Sequence, residues 1–261
     1  VRIGLLAIAV LLAAGCAQPK DGGPRETMAP APASSASAPA SAASSSASMP
    51  GPAANGTVLP SFTLDDCRNF GAVFPVAMES ARAVLPDGFE PVASPSDPAG
   101  GATLYVLGLT CTASSVDGAS TGPADVLYAE LAVVPPADQK LPGLDDCTVP
   151  VLFASGNAAW AEHTGQGDVI VAATLGGASM TLRGALASAE PAVALGEGGF
   201  AAYGVQDGAL QTVLRAHASA GTAQDAAATL EATGAPAPIG DARPASRGFS
   251  AAGFSLSYAP A

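Results

Sequence analysis

Lysine is nearly absent from this 261-residue chain: only Lys20 and Lys140 occur, and Lys140 sits in a proline-rich loop. Chemistry that relies on a lysine amine therefore has a single candidate beyond the N-terminal region. Histidine is as scarce. His163 and His217 stand alone, neither beside a second His or Cys at ligand spacing, so no metal is expected. Charged residues make up only 12% of the chain and acids dominate them, leaving a net charge of −12. A surface of that sign repels phosphate backbones and anionic head groups, which argues against a nucleic-acid partner. One Trp, four Tyr and eight Phe are few for a chain that is 49% hydrophobic, so much of the core must come from small Ala and Val. No apolar run reaches the ~20 residues that a membrane-crossing helix needs.

The N-terminus nevertheless carries a strong pattern. Arg2 supplies a minimal charged start, Ile3 to Ala14 is an uncharged apolar run, and Gly15-Cys16 closes it with a small residue before a thiol. This resembles a bacterial lipoprotein signal, although Ala13 stands where Leu is commoner and Leu12 lies one place further back. The resemblance implies that residues 1–15 are a signal peptide and that Cys16 is acylated and becomes the first residue. The protein would then be lipid-anchored to the cell membrane or outer membrane, with its domain on the extracytoplasmic side and the membrane as a partner through the lipid. An ordinary cleaved signal with an incidental Cys, or a short uncleaved anchor, is the alternative.

From Cys16 to residue 59 the composition turns to Ala, Ser, Pro and Gly, as in Ala33-Ser34-Ser35-Ala36-Ser37. Neither the 3.6-residue nor the 2-residue period of a packed element occurs there, and the expectation is a disordered tether. Its r.m.s. reach as a flexible coil is ~35 Å. Asn55-Gly56-Thr57 spells a glycosylation sequon, which means little outside a host with that machinery.

Residues 60–261 break into short apolar runs separated by turn residues, the pattern of a single globular domain rich in antiparallel β-structure. Val76 to Leu85 reads as a helix stopped by Pro86-Asp87-Gly88. Ala102 to Ala113, Val126 to Val134 and Val149 to Ala154 read as strands, with a short helix around Trp160 capped by Ser155 or Asn157. Two hairpins follow: Asp168–Leu175 with Ala178–Leu186 about Gly176-Gly177, and Phe200–Gln206 with Ala209–His217 about Asp207-Gly208. Thr222 to Thr233 is open between helix and strand, and Phe249 to Tyr258 closes the set. The expected fold class is mainly β with a few short helices, in a curved sheet or barrel that removes exposed edges.

The stretch from Cys67-Arg68-Asn69-Phe70 through Phe74-Pro75-Val76, the turn Leu85-Pro86-Asp87-Gly88-Phe89-Glu90-Pro91 and the strand Leu104 to Cys111 resemble the start of acetoacetate decarboxylase-like domains. The likeness covers roughly residues 62–135. It implies an antiparallel β-cone around an apolar cavity, and a small apolar or carboxylated ligand. Once Cys16 is assigned to lipid, Cys67, Cys111 and Cys147 allow three pairings in a disulfide-permissive compartment. The resemblance implies Cys67–Cys111, because it places both in one N-terminal unit with Cys111 on a strand.

The family's chemistry needs a lysine whose pKa is depressed by an apolar pocket and a neighbouring cation. Lys140 has no basic neighbour and lies near Asp138 and Asp145, so it reads as a solvated loop residue and no catalytic residue is assigned. Gly118-Ala119-Ser120-Thr121-Gly122 has the G-x-S-x-G spelling of a hydrolase elbow but leads into a strand, where that elbow needs a helix. The repeated Leu64-Asp65-Asp66-Cys67 and Leu144-Asp145-Asp146-Cys147 read as solvated turns, without the oxygen-rich spacing of a calcium loop. No cofactor is expected. A non-catalytic binding lipoprotein is the first expectation; an envelope enzyme, a lyase or hydrolase, is the alternative.

Overall fold

The computed structural model describes residues 59–97, 100–163, 168–175, 177–186 and 193–261. The expected signal and Cys16, the expected tether with Asn55, and Gly176 lie outside the described residues. In chain order the elements are β1 (Phe62–Val76), α1 (Met78–Arg82), β2 (Glu90–Pro91), β3 (Ala102–Val116), β4 (Ala119–Ser120), β5 (Ala124–Val134), β6 (Cys147–Ser155), β7 (Ala158–His163), β8 (Asp168–Leu175), β9 (Ala178–Leu186), β10 (Val193–Leu195), β11 (Gly198–Gln206), β12 (Ala209–Ala218), β13 (Gly221–Thr233), α2 (Ala237–Gly240) and β14 (Arg247–Pro260). Among the described residues no helix is long and apolar enough to cross a membrane.

Seven strands close a barrel in the order β1-β3-β5-β6-β11-β12-β14, with β14 pairing back onto β1. All these pairings are antiparallel except β6 with β11, so the mostly antiparallel sheet that was expected carries one parallel step. The sheet then continues past the barrel from β14 through β13, β9 and β8 to β7. β14 makes this branch possible. Its residues 248–252 pair with β13 and its residues 256–260 pair with β12, and between them Gly253 takes a positive φ of 71°. A left-handed residue there turns the strand from one partner to the other at no Cβ cost.

The branch folds over the outside of the barrel. Alternation along each barrel strand sends one set of side chains inward and the other outward. On β3, Tyr105, Leu107, Leu109 and Cys111 join the inner cluster, whereas Leu104 and Val106 pack outward. The outward set, with Phe70, Phe74, Leu127 and Leu131, meets Val169, Val171, Met180 and Leu182 from β8 and β9. Full burial of each such side chain is worth ~1.5–3 kcal/mol. Gly184 on β9 gives Phe70 its slot: a Cβ there would overlap the Phe70 ring.

Covering both faces explains where the expected elements fail. Residues 69–76 are buried without alternation, so β1 runs on through Val76 and the helix shrinks to Met78–Arg82. The expected helix around Trp160 is a strand, β7. Ala158, Trp160 and Glu162 are half-buried while Ala159 and Ala161 are exposed, a two-residue period. The Trp160 backbone N–H donates to Asp125 Oδ2 at 3.1 Å, which caps the outer edge of β7. Thr222–Thr233 is strand, with residues 222–226 paired to β14 and residues 226–233 to β9. Both predicted hairpins form.

Candidate functional site

β5 crosses the barrel wall with Val126, Tyr128, Glu130 and Ala132 on its inner face. Glu130 is fully buried (0% exposed), and neither carboxylate oxygen has a hydrogen-bond partner. A bulge fixes its surroundings. Ala129 pairs with Leu152 and Glu130 with Pro150, so Val151 is the extra residue and a proline without an N–H faces Glu130. Tyr105 on β3 is the register partner on the other side. One step along the barrel, Ala132 is the register partner of Thr148 on β6, and its carbonyl accepts from Val92, whose own carbonyl accepts from Thr103. Thr148 therefore lies beside the small Ala132 side chain, and Val92 stands between Ala132 and Thr103. The Thr103 hydroxyl is buried and unpaired, as is Asn69 Oδ1 further down β1, and the buried Thr148 hydroxyl lies close enough to Glu130 to stabilise its carboxylate.

Burial sets the electrostatics. It pushes the Glu130 carboxyl up from its ordinary 4.5 to about 7, against a smaller lowering by the Thr148 hydroxyl. Burial, then the charge of Glu130 and that of Asp146, raises Tyr105. Tyr128 and Tyr258 are raised well above the usual phenol value by burial first, with Glu130 adding to both. All three phenols stay protonated near neutral pH. Next to them, Phe62 stacks on Tyr258 at 4.3 Å and contacts Phe153 at 5.2 Å, and Phe200 meets Tyr258 edge-on at 5.6 Å. The barrel interior is thus packed with aromatic rings around one fully buried carboxyl. Each unpaired buried polar group costs ~1–3 kcal/mol.

The residues singled out by sequence lie elsewhere. Lys140 is exposed and ion-paired to Asp145 at 2.7 Å, and that carboxylate raises its pKa. The shift runs opposite to what a Schiff-base nucleophile needs. Ser120 is exposed in β4, at a strand-to-strand turn. His217 is an exposed residue of β12, and His163 closes β7. Asp65 and Asp66 occupy a bulge in β1, with Asp66 at φ 47°; Asp145 and Asp146 precede β6. Among the described residues no group of three or more His, Cys, Asp or Glu side chains is placed to hold a metal. Cys67 and Cys111, register partners across β1 and β3, are joined by a disulfide. Cys147 is a free, buried thiol facing Tyr203, with its pKa raised chiefly by burial. Glu130 escaped the sequence reading. Its signal was there: it is the one charge in the run Val126-Leu127-Tyr128-Ala129-Glu130-Leu131-Ala132-Val133-Val134.

Among solved structures, the crystal structure of acetoacetate decarboxylase from Legionella pneumophila subsp. pneumophila matches with a TM-score of 0.51 at 12% identity, over 83% of this chain and 92% of that one. An acetoacetate decarboxylase-like enzyme from Sphingomonas wittichii RW1 matches with a TM-score of 0.47 at 10% identity, over 77% and 91%. No protein-family model and no curated protein matches the chain. The Legionella likeness shows a shared fold. At 12% identity it carries no chemistry across.

Proposed function

We propose that this chain is a lipid-anchored protein of the cell envelope whose acetoacetate decarboxylase-like barrel binds a small molecule and does not decarboxylate it. One observation carries the reading: the barrel interior holds an unpaired carboxyl, while the only lysine of the described residues, Lys140, is exposed in a loop and bound to Asp145. A Schiff base needs an amine that is neutral near pH 7, and desolvation or a neighbouring cation is what makes one so. Lys140 has neither. Anchoring rests on the Gly15-Cys16 junction behind an apolar run, and the Ala/Ser/Pro tether would carry the domain clear of the membrane.

Glu130 also supports the second reading, an envelope enzyme of lyase or hydrolase type, because a carboxyl titrating near 7 suits a general acid or base. The two separate in one experiment. Full-length protein is incubated with acetoacetate and borohydride, and CO₂ release and intact mass are followed. Binding without catalysis predicts no CO₂ and no reduced adduct; an adduct on Lys140, lost with CO₂ release in Lys140→Ala, refutes it. The same mass spectrum of membrane-extracted protein tests the anchor: loss of residues 1–15 plus acyl mass on Cys16 is expected, and a free Cys16 thiol refutes it.

A further inference from the structure

We propose that a groove on the outward face of β8, β9 and β13 takes a short peptide of dipeptide length with both termini free, its carboxylate on Arg183 and its ammonium on Asp168. The groove belongs to the outer sheet, so the proposal goes beyond the barrel-binding reading above and does not rest on it.

Strand register builds the groove. Three rows of side chains cross the sheet: Asp168, Ala185 and Ala227; then Val169, Gly184 and Ala228; then Ile170, Arg183 and Thr229. Val169 and Ala228 pack toward the barrel, and a Cβ on Gly184 would meet the Phe70 ring, so the middle row faces inward. The rows on either side of it therefore face outward. Ala185 and Ala227 carry only methyl groups there, beside the longer Ile170 and Arg183. Residues of all three rows line a groove of about 390 Å³ that opens to solvent. That volume lies within the ~300–1,000 Å³ of small-molecule sites.

Charge selects the occupant. Arg183 meets Glu231 only through Nε at 3.7 Å, beyond hydrogen-bond reach, and among the described residues its guanidinium has no hydrogen-bond partner. Its fork is left to make the paired bonds that a carboxylate accepts. Asp168 has no ion pair among the described residues either, whereas Asp225, further along the same face of β13, is already held by Arg247 at 2.6 Å. Arg183 and Asp168 are thus an unspent cation and an unspent anion on one floor, and they do not pair with each other.

Spacing sets the length. Asp168 is the register partner of Ala185, so Arg183 stands two residues along β9 from it, a diagonal of ~7–8 Å. One extended residue spans at most ~3.6 Å and two span ~7 Å, so a dipeptide matches the diagonal and a free amino acid is too short. Ala185, Ala227 and Ile170 then lie under the peptide's side chains. Thr229, the register partner of Arg183, offers its hydroxyl to the peptide amide.

The test is an NMR-monitored titration of the full-length protein near neutral pH with alanyl-alanine, its N-acetyl form and its C-terminal amide. Arg183→Gln and Asp168→Asn are run beside it, with circular dichroism to establish that each is folded. The proposal expects saturable shifts from alanyl-alanine at residues of β8, β9 and β13, and binding about tenfold weaker for either blocked peptide. Arg183→Gln should lose the preference for a free carboxylate and Asp168→Asn the preference for a free ammonium. If either variant does not fold, the ranking of the three peptides in the wild type decides. A blocked peptide that binds as tightly as alanyl-alanine overturns the two-ended site. Preferences that survive the substitutions overturn its assignment to Arg183 and Asp168. Shifts confined to the barrel strands β3, β5 and β6 overturn the groove and support the barrel-binding reading. No saturable binding of any of the three overturns the groove and leaves that reading standing.

Discussion

Glu130 and Tyr105 face each other across β5 and β3, a carboxyl and a phenol side by side on the inner wall of a closed barrel. Burial raises the carboxyl against a smaller lowering by the Thr148 hydroxyl, and this makes folding stability depend on pH. The folded protein keeps the Glu130 proton up to about 7, while an unfolded chain releases it near 4.5. Between those values the native state binds more protons, so stability falls as pH rises. The contribution is fully present below about 4.5 and gone above about 7, and amounts to roughly 3 kcal/mol. Urea unfolding from pH 4.5 to 8 is expected to show this slope in the wild type and to lose it in Glu130→Gln, which should be the more stable protein at pH 8. Parallel profiles for the two would show that Glu130 titrates normally.

The Cys67–Cys111 disulfide closes a loop with a sequence separation of 44 residues. On the chain-entropy argument it stabilises the fold by about 4 kcal/mol. Nonreducing peptide mapping should recover these two cysteines in one linked peptide pair and Cys147 as a thiol. The double variant Cys67→Ala/Cys111→Ala should lower the unfolding midpoint by that order, and unchanged stability would show that the bridge constrains nothing.

Gly184 is where the outer layer meets the barrel. A Cβ added there would overlap the Phe70 ring and lie 2.6 Å from the Ala227 carbonyl oxygen. Overpacking of a close-packed contact typically costs ~1–3 kcal/mol. Gly184→Ala is expected to destabilise the fold by at least that amount in thermal unfolding, and Phe70→Ala/Gly184→Ala to cost less than the sum of the single changes. Additive costs would mean that the two residues do not share the contact.

Lys140→Ala removes an exposed ion pair, and such pairs are worth ~0–1 kcal/mol. The variant should match the wild type in stability within error and, like it, release no CO₂ from acetoacetate. A large loss of stability, or CO₂ release by the wild type that the variant lacks, would give Lys140 a role that its exposed position does not explain.

Turn chemistry and apolar alternation made much of the fold legible. Asp207-Gly208 marks the β11–β12 hairpin, and Tyr105, Leu107, Leu109 and Cys111 mark one face of β3. Legibility ended where both faces of a strand are covered. Phe70 to Val76 shows no alternation because the barrel interior lies on one side and the outer layer on the other, so its last residue was read into a helix. Around Trp160 the failure was different: three alanines and a glutamate favour helix locally, and edge pairing with β8 overrides them. The site was hidden for a third reason. Glu130 is conspicuous only as a lone charge in an apolar strand, while its neighbours Tyr105 and Thr148 come from β3 and β6, which neither spacing nor motif links to it. Only the register of three strands brings them together.

The most direct test of the buried, unpaired carboxyl at the centre of this protein is a ¹³C NMR titration of glutamate side chains in full-length protein, with the Glu130 signal assigned by its absence in Glu130→Gln. The expected result is a Glu130 carboxyl titrating at about 7. A Glu130 signal that titrates near 4.5 would place the carboxyl in water or in a satisfied pair, and would contradict the buried site.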